Sequence, residues 1–318
     1  MKLKLTRRQF GQLTFAGTVG AGLSYLAKRV VAQTPEVRLY GVRTGPLVTP
    51  DNTTVTGVDG NAVHNPTTSL TLVSIPLSLV QESSNVATTN LQTLPNFQFL
   101  EDETTPVVNP NEGINDFTYL SDGTPVVAVT PTIGSENETA ATRLIFLHSS
   151  PTAVTVSGLR PQEQLASLVA TKDGGLLGLV LNKNGTPPTK LVDIDVQTGN
   201  LTTNTKVKLP SDQRFGTLAH CPDGTFYAAT VTNNGTTNLV KLDLGQQELT
   251  TLVQLTLNGN AWNNGFVESL VCTPGGQIWA LGALRYETPH YLHLVDPVKG
   301  DMTRLAPFNV SKIAISPV

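Results

Sequence analysis

The chain has 318 residues, of which 21 are Lys or Arg and 24 are Asp or Glu. Six of the basic residues and none of the acidic ones lie within residues 1–32, so residues 33–318 carry a net charge of −9. An acidic surface of this kind argues against nucleic acid or anionic lipid as a partner, because both require local positive potential.

The N-terminal 32 residues resemble a twin-arginine export signal. Arg7 and Arg8 precede an uncharged, mildly apolar stretch over residues 13–27. That stretch is shorter than the roughly 20 apolar residues that a membrane-spanning helix needs. Residues 30–32 have small or modest side chains at the positions that a signal peptidase reads, so we predict cleavage between Ala32 and Gln33. The mature protein is then expected in the periplasm or otherwise exported by the twin-arginine route. An uncleaved anchor or a chance Arg pair is the alternative interpretation.

An apolar phrase that ends in Asp-Gly or Gly-Gly recurs four times along the chain. The last glycines of these phrases are 51, 50 and 52 positions apart. Such dipeptides tolerate positive φ and connect the strands of hairpins. A second apolar strand follows each phrase at once. The four phrases are Phe117–Gly123, Leu168–Gly174, Leu218–Gly224 and Leu270–Gly276.

A third strand and its turn also recur. Asp195, Asp243 and Asp296 lie 22, 20 and 21 residues after the first residue of the preceding Asp-Gly or Gly-Gly dipeptide, and each opens a turn that contains Gly. Asp bonds its own backbone in such turns, and Gly takes the left-handed position. A fourth strand closes each unit. Four antiparallel strands repeated at about 50 residues predict an all-β fold, a single β-propeller over residues 33–318.

Both ends of the predicted domain share one blade. Residues 310–318 look like one more first strand with no blade after it, and residues 37–42 and 69–73 supply a second and a third strand. Such a closure removes an exposed sheet edge. We predict five blades, with six or seven as the alternative if the Pro- and Asn-rich stretches 44–68 and 95–113, interpreted as loops, contain strands. A β-sandwich array is the non-propeller alternative. No helix is predicted beyond the export signal.

The two cysteines are Cys221 and Cys272. Export would permit a disulfide between them. However, the repeat alignment places them one register apart, on opposite faces of neighbouring strands, and twin-arginine cargo folds in a reducing compartment before transport. We therefore expect two buried free thiols.

The repeat over residues 113–318 resembles the bacterial periplasmic propellers that include the gluconolactonase-like and quinoprotein-like groups. The blade signatures of the WD40, kelch and Asp-box families are absent from the sequence. The resemblance implies an exported propeller and transfers no catalytic residue to this chain.

The starts of the first strands hold the candidate site. Because these strands begin at one mouth of the central channel, where ligand sites lie, we predict that Asn115, Asp116, Glu268 and Lys312 form a polar ligand-binding cluster. The alternative is that strand starts simply permit polar residues. Aligned on the turns, one position carries Asp116, Ser167, Thr217, Ser269 and Lys312, and the preceding position carries Asn115, Ala166, Gly216, Glu268 and Ser311.

Loops over the same mouth are predicted to hold Arg214, Trp262, Arg285, Tyr286 and His64. Arginine and aromatic residues are frequent anchors of binding surfaces. Each of these residues would also be ordinary in a loop.

Two functions follow from these residues. The first is a non-catalytic propeller, expected to be a monomer without a cofactor, that binds a protein, sugar or small molecule. The alternative is a calcium-dependent hydrolase or lactonase, since Asn115, Asp116 and Glu268 supply the oxygen ligands that Ca²⁺ prefers. Lys312 in the same ring would oppose a cation. The sequence contains no catalytic or haem-binding motif that would favour the second function.

Replacement of Arg7 and Arg8 by Lys tests the export signal. We expect unprocessed protein to accumulate in the cytoplasm, as measured by cell fractionation and immunoblotting. Normal export of the double variant would contradict the twin-arginine assignment and indicate the general secretory route.

Overall fold

The computed structural model describes residues 37–44, 70–82, 92–93, 107–109, 112–131, 141–148, 151–183, 185–204, 207–263, 265–284, 287 and 290–316. The predicted export signal, with Arg7, Arg8 and Ala32, lies outside these residues, as does most of the predicted loop 44–68. Within the described ranges, no helix has both the length and the apolarity needed to cross a membrane.

The chain folds into five four-stranded antiparallel blades of a β-propeller, which confirms the predicted fold and blade count. In blades 2 to 5, the chain runs from the innermost strand outwards. The strands are β1 (Arg38–Thr44), β2 (Leu70–Pro76) and β3 (Gln92–Thr93) in blade 1; β4 (Glu112–Tyr119), β5 (Pro125–Pro131), β6 (Arg143–Phe146) and β7 (Thr152–Thr155) in blade 2; β8 (Glu163–Ala170), β9 (Leu176–Asn182), β10 (Lys190–Ile194) and β11 (Leu201–Thr203) in blade 3; β12 (Gln213–His220), β13 (Phe226–Thr232), β14 (Thr237–Asp243) and β15 (Glu248–Gln254) in blade 4; β18 (Gly265–Cys272), β19 (Ile278–Leu284), β20 (Tyr291–Val295) and β21 (Asp301–Pro307) in blade 5; and β22 (Lys312–Ile315), which returns to blade 1.

A small hairpin of β16 (Thr256–Leu257) and β17 (Asn260–Ala261) extends blade 5 at its outer edge. There β16 pairs in parallel with β21. Blade 5 is therefore widened by a segment that the four-strand repeat does not predict.

The turns between first and second strands have the predicted chemistry. Their glycines, from Gly123 in blade 2 to Gly276 in blade 5, have φ values between 79° and 90°. The Asp122 carboxylate accepts a hydrogen bond from the Thr124 N–H at 2.9 Å. A side chain with a Cβ is strained at such φ values, so glycine at these positions is a requirement of the backbone.

Apolar side chains form a separate core between each pair of neighbouring blades. Second strands such as β9 are buried on both faces, which explains the continuous apolar run over residues 176–181. Between blades 5 and 1, Trp279 and Phe308 are almost completely buried. Burial of one such large side chain stabilises the fold by about 1.5–3 kcal/mol.

The two ends of the propeller domain meet in blade 1, as predicted. Strand β22 pairs antiparallel with β1, so that Leu39 lies opposite Ile315 and Val42 lies opposite Lys312. Strand β1 then pairs with β2 on its other side. The closing blade thus takes its innermost strand from the C-terminal part of the chain.

A short helix, α1 (Leu77–Glu82), follows β2, although no helix was expected here. Leu77 and Val80 are buried in the core between blades 5 and 1. Six residues are less than two helical turns, so the segment is too short to show a helical period in the sequence. In the predicted loop 95–113, the last two residues belong to β4.

Four of the five first strands are joined to the preceding blade by a hydrogen bond from a backbone N–H to a side chain. An innermost strand has a free edge, and its N–H groups need acceptors. We call these bonds the inner ring. They are Leu168 N–H to Asp116 Oδ2 (2.7 Å), Leu218 N–H to Ser167 Oγ (2.9 Å), Leu270 N–H to Thr217 Oγ1 (3.1 Å) and Ile313 N–H to Ser269 Oγ (3.3 Å).

Asp116 completes the inner ring where Lys312 cannot. The Lys312 ammonium only donates hydrogen bonds, and the Phe117 N–H instead donates to Asp116 Oδ1 at 2.8 Å. The Ser167 hydroxyl donates to Asp116 Oδ2 at 2.5 Å. Burial raises the pKa of Asp116 to about 6, although the charge of Lys312 and these hydrogen bonds act to lower it.

The expected free thiols are instead joined, because the structure has a disulfide between Cys221 and Cys272. The two Cα atoms are 5.0 Å apart. Cys221 follows His220, the last residue of β12, so its side chain is not bound by strand alternation. The expectation of opposite faces was wrong for this reason. The bond joins blade 4 to blade 5.

Substitution of Asp116 by Asn tests the charge state inside the inner ring. Because the folded-state pKa of about 6 lies above the ordinary value of 3.8, the folded protein binds this proton more tightly than the unfolded chain. The stability from Asp116 is therefore largest below the ordinary pKa and decreases as the pH rises through the folded-state pKa. We expect the stability of wild type relative to Asp116→Asn to increase, by roughly 3 kcal/mol at most, as the pH is lowered across this window.

Thermal unfolding of both proteins across that pH window measures this difference, and the titration of all other groups cancels in the comparison. A stability difference that shrinks as the pH falls would show that the three hydrogen bonds keep the carboxylate ionised.

Replacement of both Cys221 and Cys272 by Ser tests the link between blades 4 and 5. The disulfide closes a loop with a sequence separation of 51 residues. We expect its loss to lower the free energy of unfolding by about 4 kcal/mol, measured by denaturant titration. Reductant should destabilise wild type to the level of the variant and leave the variant unchanged. Equal stability of reduced and oxidised wild type would contradict this role.

Candidate functional site

A bulge interrupts the first strand of blades 2 to 5 immediately before the inner ring. In each case one residue of the first strand has no partner on the second strand. Bulges re-aim side chains and are frequent near binding sites. The unpaired residues are Asn115, Ala166, Gly216 and Glu268, the set that the alignment placed at the channel mouth.

A cavity of about 360 Å³ lies at these bulges. Ala166 and Gly216 have little or no side chain, so the cavity opens over blades 3 and 4. Its apolar wall there includes Leu181, Ala229 and Val231 from the second strands. Blades 2, 5 and 1 contribute a polar side. The lining residues are Ile114, Asn115, Gln164, Ala166, Leu181, Arg214, Gly216, Ala229, Val231, Gly235, Thr237, Val267, Glu268 and Lys312.

An ion pair between Lys312 and Glu268 forms most of the polar side. The Lys312 ammonium donates to the Glu268 backbone oxygen at 2.7 Å and lies 3.2 Å from Glu268 Oε2. Lys312 is 8% exposed. Burial by itself would raise the pKa of Glu268, but Lys312, with smaller effects from His290 and Arg214, lowers that pKa below its ordinary value. Glu268 is therefore ionised at neutral pH.

Asn115 is held in place by two hydrogen bonds. Its amide nitrogen donates to Thr130 Oγ1 at 3.1 Å and to the Leu165 backbone oxygen at 2.5 Å. The second bond reaches the first strand of the next blade. Asn115 thus lines the cavity while its amide N–H groups are already used.

Asp116 is separated from the predicted cluster. Its carboxylate turns into the inner ring, and its side chain borders a second cavity of about 290 Å³ at the other end of the channel. In that cavity, Lys172 donates to the Pro222 backbone oxygen and His220 bonds to the Ala170 backbone oxygen, both at 2.8 Å. We place the candidate site at the cavity of about 360 Å³ instead, because it contains Arg214, whose guanidinium has no hydrogen-bond acceptor among the described residues.

Arg214, predicted as a loop residue over the mouth, lies in β12 at the rim of the cavity of about 360 Å³. The residue is exposed. Its guanidinium packs against Gly185, where an added Cβ would lie 3.3 Å from Cζ. Among the described residues, nothing accepts a hydrogen bond from this guanidinium.

Trp262 does not reach the mouth and lies in the core between blades 4 and 5. It is 0% exposed, and its ring meets the His293 ring edge-on at 5.2 Å between centroids. Trp262 directly follows the β16–β17 hairpin, and the fold turns the indole inwards there. The expectation that it is a loop residue of the site was wrong. Arg285, Tyr286 and His64 lie outside the described residues.

The second-strand residues of the apolar wall were missed by the sequence reasoning. Leu181, Ala229 and Val231 lie in β9 and β13, which appear in the sequence as ordinary buried strands. The available signal was the pair of small residues, Ala166 and Gly216, in an alignment column that otherwise holds larger polar side chains. Small residues there expose the strand behind them.

The residues present do not fit a calcium ion. The Lys312 ammonium lies beside Glu268, and Asp116 turns its carboxylate into the inner ring. A divalent cation would have to replace that ammonium. Within the described part of the chain, no three His, Cys, Asp or Glu residues form a cluster suited to a metal.

Comparison with known proteins gives fold likenesses only. No family model matches the chain. No curated protein matches it. A protein of unknown function from Dyadobacter fermentans has 10% identity, a TM-score of 0.48 and coverage of 74% of this chain and 78% of its own. A gluconolactonase from Xanthomonas campestris has 12% identity and a TM-score of 0.44, with coverage of 86% of this chain and 81% of its own. An α-L-arabinanase from Penicillium chrysogenum has 11% identity and a TM-score of 0.44, with coverage of 87% of this chain and 84% of its own. These similarities carry no argument about function, and the propeller assignment rests on the strand order of the five blades.

Proposed function

We propose that this chain is an exported, non-catalytic β-propeller that binds a small molecule in the cavity at the bulges of its first strands. The observation that carries the proposal is the cavity of about 360 Å³, which exists because Ala166 and Gly216 are small where the other blades have Asn115 and Glu268. Cavities of this size with apolar walls and a few fixed polar groups are typical of small-molecule sites.

The two-sided lining favours a small molecule over a sugar or a protein. Leu181, Ala229 and Val231 offer apolar contact on one side, and Glu268 and Lys312 offer charge on the other. A molecule with one apolar and one polar end would satisfy both sides. A polyhydroxylated sugar would leave hydroxyl groups against the apolar wall, which costs free energy.

Export is supported by the bond between Cys221 and Cys272. Disulfides persist in oxidising compartments and are rare in the cytoplasm. This observation is independent of the Arg7 and Arg8 motif. We therefore propose that the domain folds, crosses the membrane by the twin-arginine route, and acquires the disulfide outside the cytoplasm.

A cavity-filling variant, Gly216→Leu, tests the proposed site. A Cβ at residue 216 would meet its nearest atoms at 3.9 and 4.0 Å, which is ordinary contact, so a side chain can enter the cavity. We expect small amphipathic fragments to stabilise wild type, since a ligand that binds only the folded state raises its melting temperature. Their affinity should fall at least roughly tenfold in Gly216→Leu.

The matched control is Gly275→Leu, in the exposed turn before β19, where an added Cβ would likewise meet its nearest atom at 3.8 Å. Fragment screening by thermal shift, with Ca²⁺ as a further arm, measures all three proteins. Fragments that bind Gly216→Leu as well as wild type would contradict the site, as would a screen without binders. Stabilisation by Ca²⁺ alone would favour the hydrolase alternative.

A further inference from the structure

We infer that the ligand of the cavity is an organic monocarboxylate, with its carboxylate on Arg214 and its apolar part over Ala166 and Gly216. This inference rests on the proposed function and specifies the ligand class. It follows from an account of which polar groups at the cavity are already used.

Two other donors at the cavity, Lys312 and Asn115, have partners, whereas Gln164 and Thr237 offer neutral groups that carry no charge to select an anion. Lys312 donates to Glu268 through both the backbone oxygen and the carboxylate. The amide nitrogen of Asn115 bonds to Thr130 and to Leu165. A ligand that took the Asn115 amide would first have to break existing bonds. One N–H of Lys312 remains, but its charge is already paired with Glu268, so both residues are poorer anchors than a cation without a partner.

The guanidinium of Arg214 is different. It carries five N–H donors in a fixed planar fork, and none of them has a hydrogen-bond acceptor among the described residues. Its packing against Gly185 restricts the positions it can take. A planar carboxylate matches this fork with two parallel hydrogen bonds. The anchor therefore selects a planar anion in preference to a neutral or cationic group.

The charges at the cavity limit the ligand to one negative charge. Lys312 is paired with Glu268, so Arg214 is the cation without an ion-pair partner among the described lining residues. Glu268 is ionised and would repel a second negative charge, which disfavours dicarboxylates and phosphates. The apolar wall of Leu181, Ala229 and Val231 then takes the uncharged remainder of the molecule.

Three probes with the same carbon chain test the inference: hexanoate, hexanamide and hexylammonium. We expect calorimetry to show that wild type binds hexanoate at least roughly tenfold more tightly than hexanamide. Hexylammonium should bind more weakly still. In Arg214→Gln, hexanoate and hexanamide should bind with equal affinity. Arg160→Gln, which removes an exposed arginine that does not line the cavity, should retain the wild-type preference.

The Gly216→Leu variant separates the possible failures. If wild type binds all three probes equally and Gly216→Leu binds none, the cavity is a ligand site but the carboxylate assignment is wrong. A preference for hexanoate that survives in Arg214→Gln also overturns the assignment, because the anchor would then lie elsewhere. If no probe binds wild type while other fragments do, the monocarboxylate assignment is wrong and the site stands. If Gly216→Leu binds each probe as wild type does, the proposed function fails as well.

Discussion

The structure depends on how the free edge of each innermost strand is satisfied. A propeller places five strand edges around one channel, and a backbone N–H on each edge needs an acceptor. In this protein the acceptor is a side chain of the preceding blade, with N–H to oxygen distances from 2.7 to 3.3 Å in the four inter-blade bonds. Short polar side chains suit this role because they reach the neighbouring edge without filling the channel.

The fifth blade-to-blade junction breaks the pattern and defines the chemistry of the mouth. Lys312 occupies the position of the acceptor and can only donate. Asp116 therefore serves two first strands, and the ammonium of Lys312 turns to Glu268 at the bulge. One exception in the inner ring is thus accompanied by a buried carboxylate, Asp116, and by a half-buried ion pair between Lys312 and Glu268. A pair of this kind specifies geometry more than it adds stability, because its desolvation opposes its attraction.

In the first strands, the bulge residue and the residue that follows it have different structural roles. The residue after each bulge closes the inner ring, and the bulge residue itself borders the cavity. Four of the five ring positions supply an acceptor, whereas the bulge positions vary from Gly216 to Glu268. The shape and polarity of the cavity are therefore set mainly at the bulge positions, of which Asn115 and Glu268 also bond to a neighbouring blade.

Much of the fold was predictable, because the Asp-Gly turns recur at a fixed spacing and each marks the end of an innermost strand. The aligned column that contains Asp116 and Lys312 holds the acceptors of the inner ring, although its charged members were predicted to belong to a ligand-binding cluster. The sequence could not show that Asp116 turns away from the mouth, since a bulge breaks the two-residue alternation that such an argument uses.

The burial of Trp262 could not be predicted from the sequence either, because it depends on contacts between blades 4 and 5 and on the β16–β17 hairpin outside the repeat. The alternation argument also failed for Cys221, because this residue lies one position beyond the end of β12. Local patterns therefore predicted the blades and their order. They failed where an irregular residue or a contact between blades decides the direction of a side chain.

The bond between Cys221 and Cys272 has a consequence for the response of the protein to proteases. Residues 221–272 form a closed covalent loop that contains the three outer strands of blade 4. The exposed turn at Asn233 and Asn234 lies within this loop. Cleavage of the backbone there leaves one covalently connected molecule, since both halves remain attached through the sulfur atoms. A nicked propeller keeps its blades next to each other until a reductant separates them.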